Sequence, residues 1–136
     1  MITAVDSSVL IDVLTDDPRF GAASTLALKE ARALGRLIGS EILWAETSAG
    51  FESPDEASAL FERLRIDFVP LGIDGALDAG MAWGRYRREE GSRSRLVADL
   101  LVAAHARIHA DRLLTRDRGF FSRYFPDLAL LDPSAS

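Results

Sequence analysis

Apolar residues along the 136-residue chain fall into short continuous runs and stretches of helical spacing, and the two alternate. "ITAVD" (2–6) is too short and too rich in β-formers for a helix and reads as a first buried strand. "RLIGS" (36–40), "DFVPL" (67–71) and "DRLLT" (111–115) read as a second, third and fourth, with Pro70 marking the third as an edge, and "LALL" (128–131) as a fifth. Helix signals lie between them. Asp17 and Pro18 make an N-cap and first-turn pair opening a helix that Gly35 closes, and another helix starts near Ser40. "SPDE" (53–56) is a capping box with Pro at the first helical position, followed by Ala57, Leu60, Phe61 and Leu64 at helical spacing. Asp74 caps a helix carrying Leu77 and Met81, and "RLVADLLVAAHARI" (95–108) is a mostly buried helix.

Strands alternating with helices predict the α/β class: a central, mainly parallel sheet of four to five strands between two helical layers, in a single domain over 1–136. In such sheets ligands bind beyond the carboxyl ends of the strands. Asp6 lies just past strand one, Glu46 about one helical turn past strand two, and Asp117 two residues past strand four. Asp99 stands inside an apolar helix, where a lone carboxylate costs several kcal/mol unless paired or bound to a cation. Each acid also has a plain reading: Asp6 and Asp117 as helix caps, Glu46 as an exposed helix residue, Asp99 as a first-turn acid favoured by the helix dipole. The repeated placement after strand ends favours one shared site. Nothing basic stands in sequence beside all four, so the natural neutraliser is a hard divalent cation, Mg²⁺ or Mn²⁺.

Composition narrows the chemistry. The chain has no cysteine, which removes disulfides, thiolate metal sites and a Cys nucleophile. A net charge of −5 argues weakly against a general nucleic-acid coating surface. Lys29 is the only lysine, and "GRYRREEGSRSR" (84–95) concentrates Arg85, Arg87, Arg88, Arg93 and Arg95, either as a solvated loop or as a phosphate grip. No run suits a membrane span and the first residues lack a signal-peptide pattern, so the expected location is cytoplasmic, with no membrane partner. His105 and His109 are spaced to chelate zinc, but they point away from Asp99 on the helix and have no third ligand, which favours surface or interface histidines. Trp44, Trp83, Tyr86, Phe120 and Phe121 could stack on bases; core packing is the default, with Phe120 and Phe121 pinning the loop that carries Asp117.

The segments "VDSSVLIDVL", "SEILWAE", "VADLLVAAHA" and "LLTRDRGFF", in this order and spacing, resemble the four signature segments of PIN domains, most closely the VapC-type toxins of toxin-antitoxin pairs. The resemblance implies a three-layer α/β/α PIN-like fold and a Mg²⁺- or Mn²⁺-dependent endoribonuclease. It implies Asp6, Glu46, Asp99 and Asp117 as catalytic, metal-binding acids, with Ser7 or Ser8 and Thr115 as supporting hydroxyls. "DSS" stands where "DTS" or "DTN" is commoner, and Gly119 where some relatives carry a further acid; Glu41 is a substitute candidate, though its place at the start of a helix favours capping. An acidic centre repels RNA, so Arg85, Arg87, Arg88, Arg93 and Arg116 are expected to hold the RNA backbone. The implied partners are RNA, a small VapB-type antitoxin and a second copy of the chain. A catalytically silent PIN-like module binding RNA or protein is the alternative. A haloacid-dehalogenase-like site needs a second acid where Ser8 stands, and a receiver domain needs a late lysine, whereas Lys29 is early.

Overall fold

Strand β1 (Ile2–Val5) occupies the middle of a five-stranded sheet. The computed structural model describes residues 1–90 and 97–134, and in it the strand order is β3-β2-β1-β4-β5 with every neighbouring pair parallel. The other strands are β2 (Arg36–Gly39), β3 (Ile66–Phe68), β4 (Arg112–Leu114) and β5 (Leu130–Leu131). The helices are α1 (Ser7–Leu14), α2 (Gly21–Leu34), α3 (Glu41–Ser48), α4 (Pro54–Leu64), α5 (Gly72–Glu90), α6 (Val97–His109) and α7 (Arg118–Tyr124).

The period-two alternation of strand side chains builds two cores from one sheet. Ala4 pairs in register with Ile38 on one side and Leu113 on the other, and these three face Ala79, Ala82, Tyr86, Leu100, Ala103 and Phe121 of α5 to α7. Val5, Leu37 and Leu114 point the opposite way, onto Val9, Leu10, Leu28, Leu43 and Phe61 of α1 to α4. The α/β class and three-layer arrangement expected from the sequence are the ones observed.

Several local signals land where expected. Ser40 caps α3 by accepting the N–H of Ile42, and Ser53 caps α4 by accepting the N–H of Glu56, with Pro54 in the first turn. β3 lies at the sheet edge, one residue earlier than "DFVPL" suggests. The Val69 N–H still donates to the Gly39 carbonyl at 2.9 Å, and the pairing stops at Pro70, which has no N–H to give. Gly35 ends α2 because a Cβ there would overlap the Met1 carbonyl oxygen.

Other elements differ. α2 starts at Gly21 rather than at Pro18, because the Asp17 carboxylate accepts the N–H groups of Arg19 and Phe20 and closes a turn instead. α5 begins at Gly72, so Asp74 sits in its first turn rather than at its cap. Its buried face is Ala79, Ala82 and Tyr86, while Leu77 and Met81 are 60% and 65% exposed. Arg93 and Arg95 lie outside the described residues. Among those described, no helix is long and apolar enough to cross a membrane.

Candidate active site

The sheet changes direction at β1: the chain moves to one side through β2 and β3, then returns to the other side with β4 and β5. The crevice beyond the carboxyl ends of β1 and β4 is where a parallel sheet of this kind opens to a ligand. Asp6 is the first residue past β1, and its N–H donates to the Leu114 carbonyl at 2.9 Å, which fixes it against the end of β4.

Asp6 occupies the N-cap position of α1 with extended backbone, yet its side chain makes no capping hydrogen bond. Its Oδ2 instead accepts from the Thr115 hydroxyl at 2.7 Å and the Ser8 hydroxyl at 3.0 Å. The plain reading of Asp6 as a helix cap therefore fails. The residue is only 6% exposed, and burial pushes its carboxyl above the ordinary carboxylate range, opposed by the two hydroxyls and reinforced by the negative charge of Asp99.

Glu46 projects from α3 toward the same place. Its Oε1 accepts from the Ser7 hydroxyl at 3.0 Å, and its carboxyl is also raised, first by burial and then by the charges of Asp6 and Asp99, against the Ser7 hydrogen bond. Three of the four expected acids thus act on one another electrostatically. Asp99 lies half-buried in the first turn of α6, where the helix dipole favours it, so its place "inside" an apolar helix is less costly than the sequence suggests. Asp117 is connected through the backbone: its N–H donates to the Thr115 hydroxyl at 3.0 Å, and its carboxylate, at the N-cap position of α7, makes no capping bond. Ser7, Ser8 and Thr115 all touch these acids or their backbone, so both serines are engaged rather than one.

The donor set suits a hard cation. Asp6 and Glu46 have hydroxyl partners and repelling carboxylates but no Lys, Arg or His partner among the described residues. Among those residues, no three acids are already gathered close enough to cage an ion. Carboxylate oxygens with hydroxyl partners and no basic partner are the donor chemistry of a hard divalent cation.

Other expected residues have different destinations. Arg116 is half-buried and paired: its Nε and Nη2 bind the two oxygens of Asp12 at 2.6 and 2.9 Å. Arg85 is exposed and donates to the Tyr124 carbonyl at 3.0 Å, Arg87 lies over the Trp83 ring at 5.7 Å, and Arg88 is exposed on the same helix. Glu41 is engaged at the loop before α5, its Oε1 accepting the Leu71 N–H at 2.9 Å. Trp44 stacks on Phe61 at 3.9 Å, while Phe120 and Phe121 are buried on α7 and anchor the turn bearing Asp117. A cavity of about 500 Å³ opens between Trp44, Phe61, Arg65 and Asp67, and none of the four acids lines it.

The histidines are structural. His105 is 2% exposed rather than on the surface, and its Nε2–H donates to the Val69 carbonyl at 2.8 Å; His109 does the same to Leu71 at 3.2 Å. Together they pin the loop between β3 and α5. Burial holds the His105 imidazole below its ordinary value, opposed by the Val69 bond, with further contributions from His109 and Glu41. The unfolded chain therefore takes up a proton first as pH falls below about 6.5, and the folded state loses stability there. Thermal melts across pH 5 to 7.5 should show this loss, and His105→Gln should make the profile shallower; an unchanged slope would mean that other groups set it.

The chain belongs to the PIN domain family, whose match runs over residues 3–125. Within that family it is similar to ribonuclease VapC11 of Mycobacterium tuberculosis and to a VapC ribonuclease of Mycobacterium bovis, each 32% identical over 119 residues that cover 82% of this chain and 88% of the relative. Its fold is shared by chains of solved VapBC assemblies. A chain of the Rickettsia felis VapBC2 complex with promoter DNA superposes with a TM-score of 0.74 at 19% identity, covering 97% of this chain and 98% of the other. A chain of VapBC-1 from nontypeable Haemophilus influenzae gives 0.71 at 23% identity, covering 98% and 99%.

Proposed function

We propose that the protein is a divalent-metal-dependent endoribonuclease that hydrolyses phosphodiester bonds in RNA and acts as the toxin of a toxin-antitoxin pair. The observation that carries this reading is Asp6: a buried carboxylate at the end of the central strand, in a capping position it does not use, held by two hydroxyls and facing two further acids. Family membership and the VapC ribonucleases among its relatives support it.

In this reading Asp6 and Asp99 are the principal metal ligands, Glu46 holds metal or orients the attacking water, and Asp117 completes the site. Bound Mg²⁺ or Mn²⁺ supplies a water of lowered pKa and stabilises charge on the phosphate and leaving oxygen. The protein's own residues prepare the place. Thr115 and Ser8 fix one oxygen of Asp6 and so orient the other, Ser7 aims Glu46, and the accumulated negative charge keeps the site selective for a cation. Of the arginines expected to hold an RNA backbone, Arg85, Arg87 and Arg88 are described, exposed on α5, and take that role in this reading. A small VapB-type antitoxin inhibits most economically by placing a basic side chain among the carboxylates, where it replaces the charge of the metal. The toxin is expected to be a cytoplasmic homodimer.

The test is to incubate the purified protein, free of any co-purifying partner, with total cellular RNA in Mn²⁺, in Mg²⁺ and in EDTA. Discrete cuts that require the metal support the reading and map the target. No cleavage with either metal would favour a silent PIN-like binding module.

A further inference from the structure

Asp12 is 2% exposed, more deeply buried than Asp6, and the reaction outlined above does not use it. It stands on α1, six residues beyond Asp6 and facing α2. Its Oδ2 accepts from Arg116 Nε at 2.6 Å and from the Ser24 hydroxyl at 3.0 Å, and its Oδ1 accepts from Arg116 Nη2 at 2.9 Å. The guanidinium also lies 4.1 Å above the Phe20 ring. A fork-on-fork pair closed by a hydroxyl and covered by an aromatic face holds the arginine in one orientation.

The place of Arg116 in the chain gives that rigidity a use. It separates Thr115 from Asp117, in the bend between the end of β4 and the start of α7. Thr115, fully buried, reaches Asp6 and receives the Asp117 N–H; Arg116 reaches the other way, to α1 and α2. The loop after β4 is therefore gripped on both sides. Arg116 is also neutralised by Asp12, which leaves the negative charge around Asp6 uncompensated for a cation.

We propose that Arg116, locked by Asp12, Ser24 and Phe20, is a positioning residue that fixes the 115–117 loop and thereby sets where Thr115 and Asp117 stand relative to Asp6. This deepens the nuclease reading and rests on it for its effect on catalysis. Arg116 then contributes to rate without touching RNA, in contrast to the RNA-gripping role its sequence position suggested.

The experiment compares the full chain with Arg116→Lys, which keeps the charge and loses the fork, Asp12→Asn, which keeps the arginine and weakens its anchor, and the double variant. Amide hydrogen exchange of the 115–117 segment is measured without RNA, alongside melting temperature and, on a cleaved RNA oligonucleotide with Mn²⁺, kcat and KM. Faster exchange confined to this segment is expected in both single variants. Both should lose kcat by roughly 10- to 100-fold, the cost of a misplaced group, with KM within about twofold. The double variant should lose no more than the worse single, because both remove one clamp. Unchanged exchange at 115–117 overturns the proposal whether or not the protein cuts RNA. So does a rise in KM alone on Arg116→Lys with Asp12→Asn behaving as the parent, which marks a direct RNA contact. A wild-type chain that never cuts RNA counts instead against the nuclease reading, while the exchange comparison still decides whether the clamp exists.

Discussion

Replacing Asp6 by Asn lowers metal-dependent RNA cleavage by about 10³-fold or more, while the melting temperature measured in EDTA stays at or above that of the parent. The two halves of this result have one cause. Burial raises the Asp6 carboxyl above its ordinary value, with Asp99 adding to the shift, so the ionised form is held at a cost at neutral pH. An acid whose folded-state pKa is raised binds its proton more tightly when folded, so stability falls as pH rises from the ordinary carboxylate value through the raised one. Asn keeps the shape and an oxygen that accepts from Ser8 and Thr115, and it removes the ionisation. It also removes the anionic ligand. Melts in EDTA at pH 7, with cleavage assays in Mn²⁺, check both halves together. An Asn variant that cuts at the parent rate, or that melts well below the parent, would make Asp6 a structural residue.

Phe121→Ala is expected to cost about 3–5 kcal/mol, the usual range for emptying a phenylalanine site in a core. Phe121 is fully buried against the α5–α7 face of the sheet, 5.5 Å from the Phe120 ring, and its carbonyl accepts the Phe125 N–H at 2.8 Å. For a domain of this size the melting temperature should drop by roughly 10 to 20 °C. Denaturant unfolding measures the change as a lower midpoint at constant slope. Because α7 directly follows Asp117, cleavage should be lost at temperatures where the parent is still active. A cost below about 1 kcal/mol would contradict the packing of α7 described above.

What could be read from the chain was what neighbouring residues decide. Ser40 and Ser53 announce α3 and α4 because a cap is a contact over two or three residues, and the β-rich runs at 2–5, 36–39 and 112–114 are buried on both faces and need no partner to be visible. The positions of Asp6, Glu46 and Asp117 after strand ends could likewise be read from the alternation of elements, whereas Asp99 stood out only as an acid within an apolar run. Asp17 and Pro18 misled because the same carboxylate can close a turn or cap a helix, and only the following N–H groups decide which. The destination of Arg116 was hidden: its partner Asp12 is 104 positions away, and nothing local to "TRD" separates a buried clamp from an exposed cation. His105 was hidden for the same reason, its partner being a backbone carbonyl on another element. Along α5, hydrophobicity pointed to Leu77 and Met81, whereas the helix turns its smaller residues Ala79 and Ala82 inward to approach α6 closely.

The central place of β1 also governs when the site around Asp6 is assembled during synthesis. Synthesis delivers Asp6 first and Thr115, Arg116 and Asp117 near the end, and the hydrogen bond joining Asp6 to Thr115 spans 109 positions. A chain still lacking β4 leaves β1 with an open edge, and its first acid has neither the hydroxyl that orients it nor the loop that faces it. Throughout translation the growing polypeptide therefore carries the groups around Asp6 in two unjoined pieces, and release of the last strands is what brings them together.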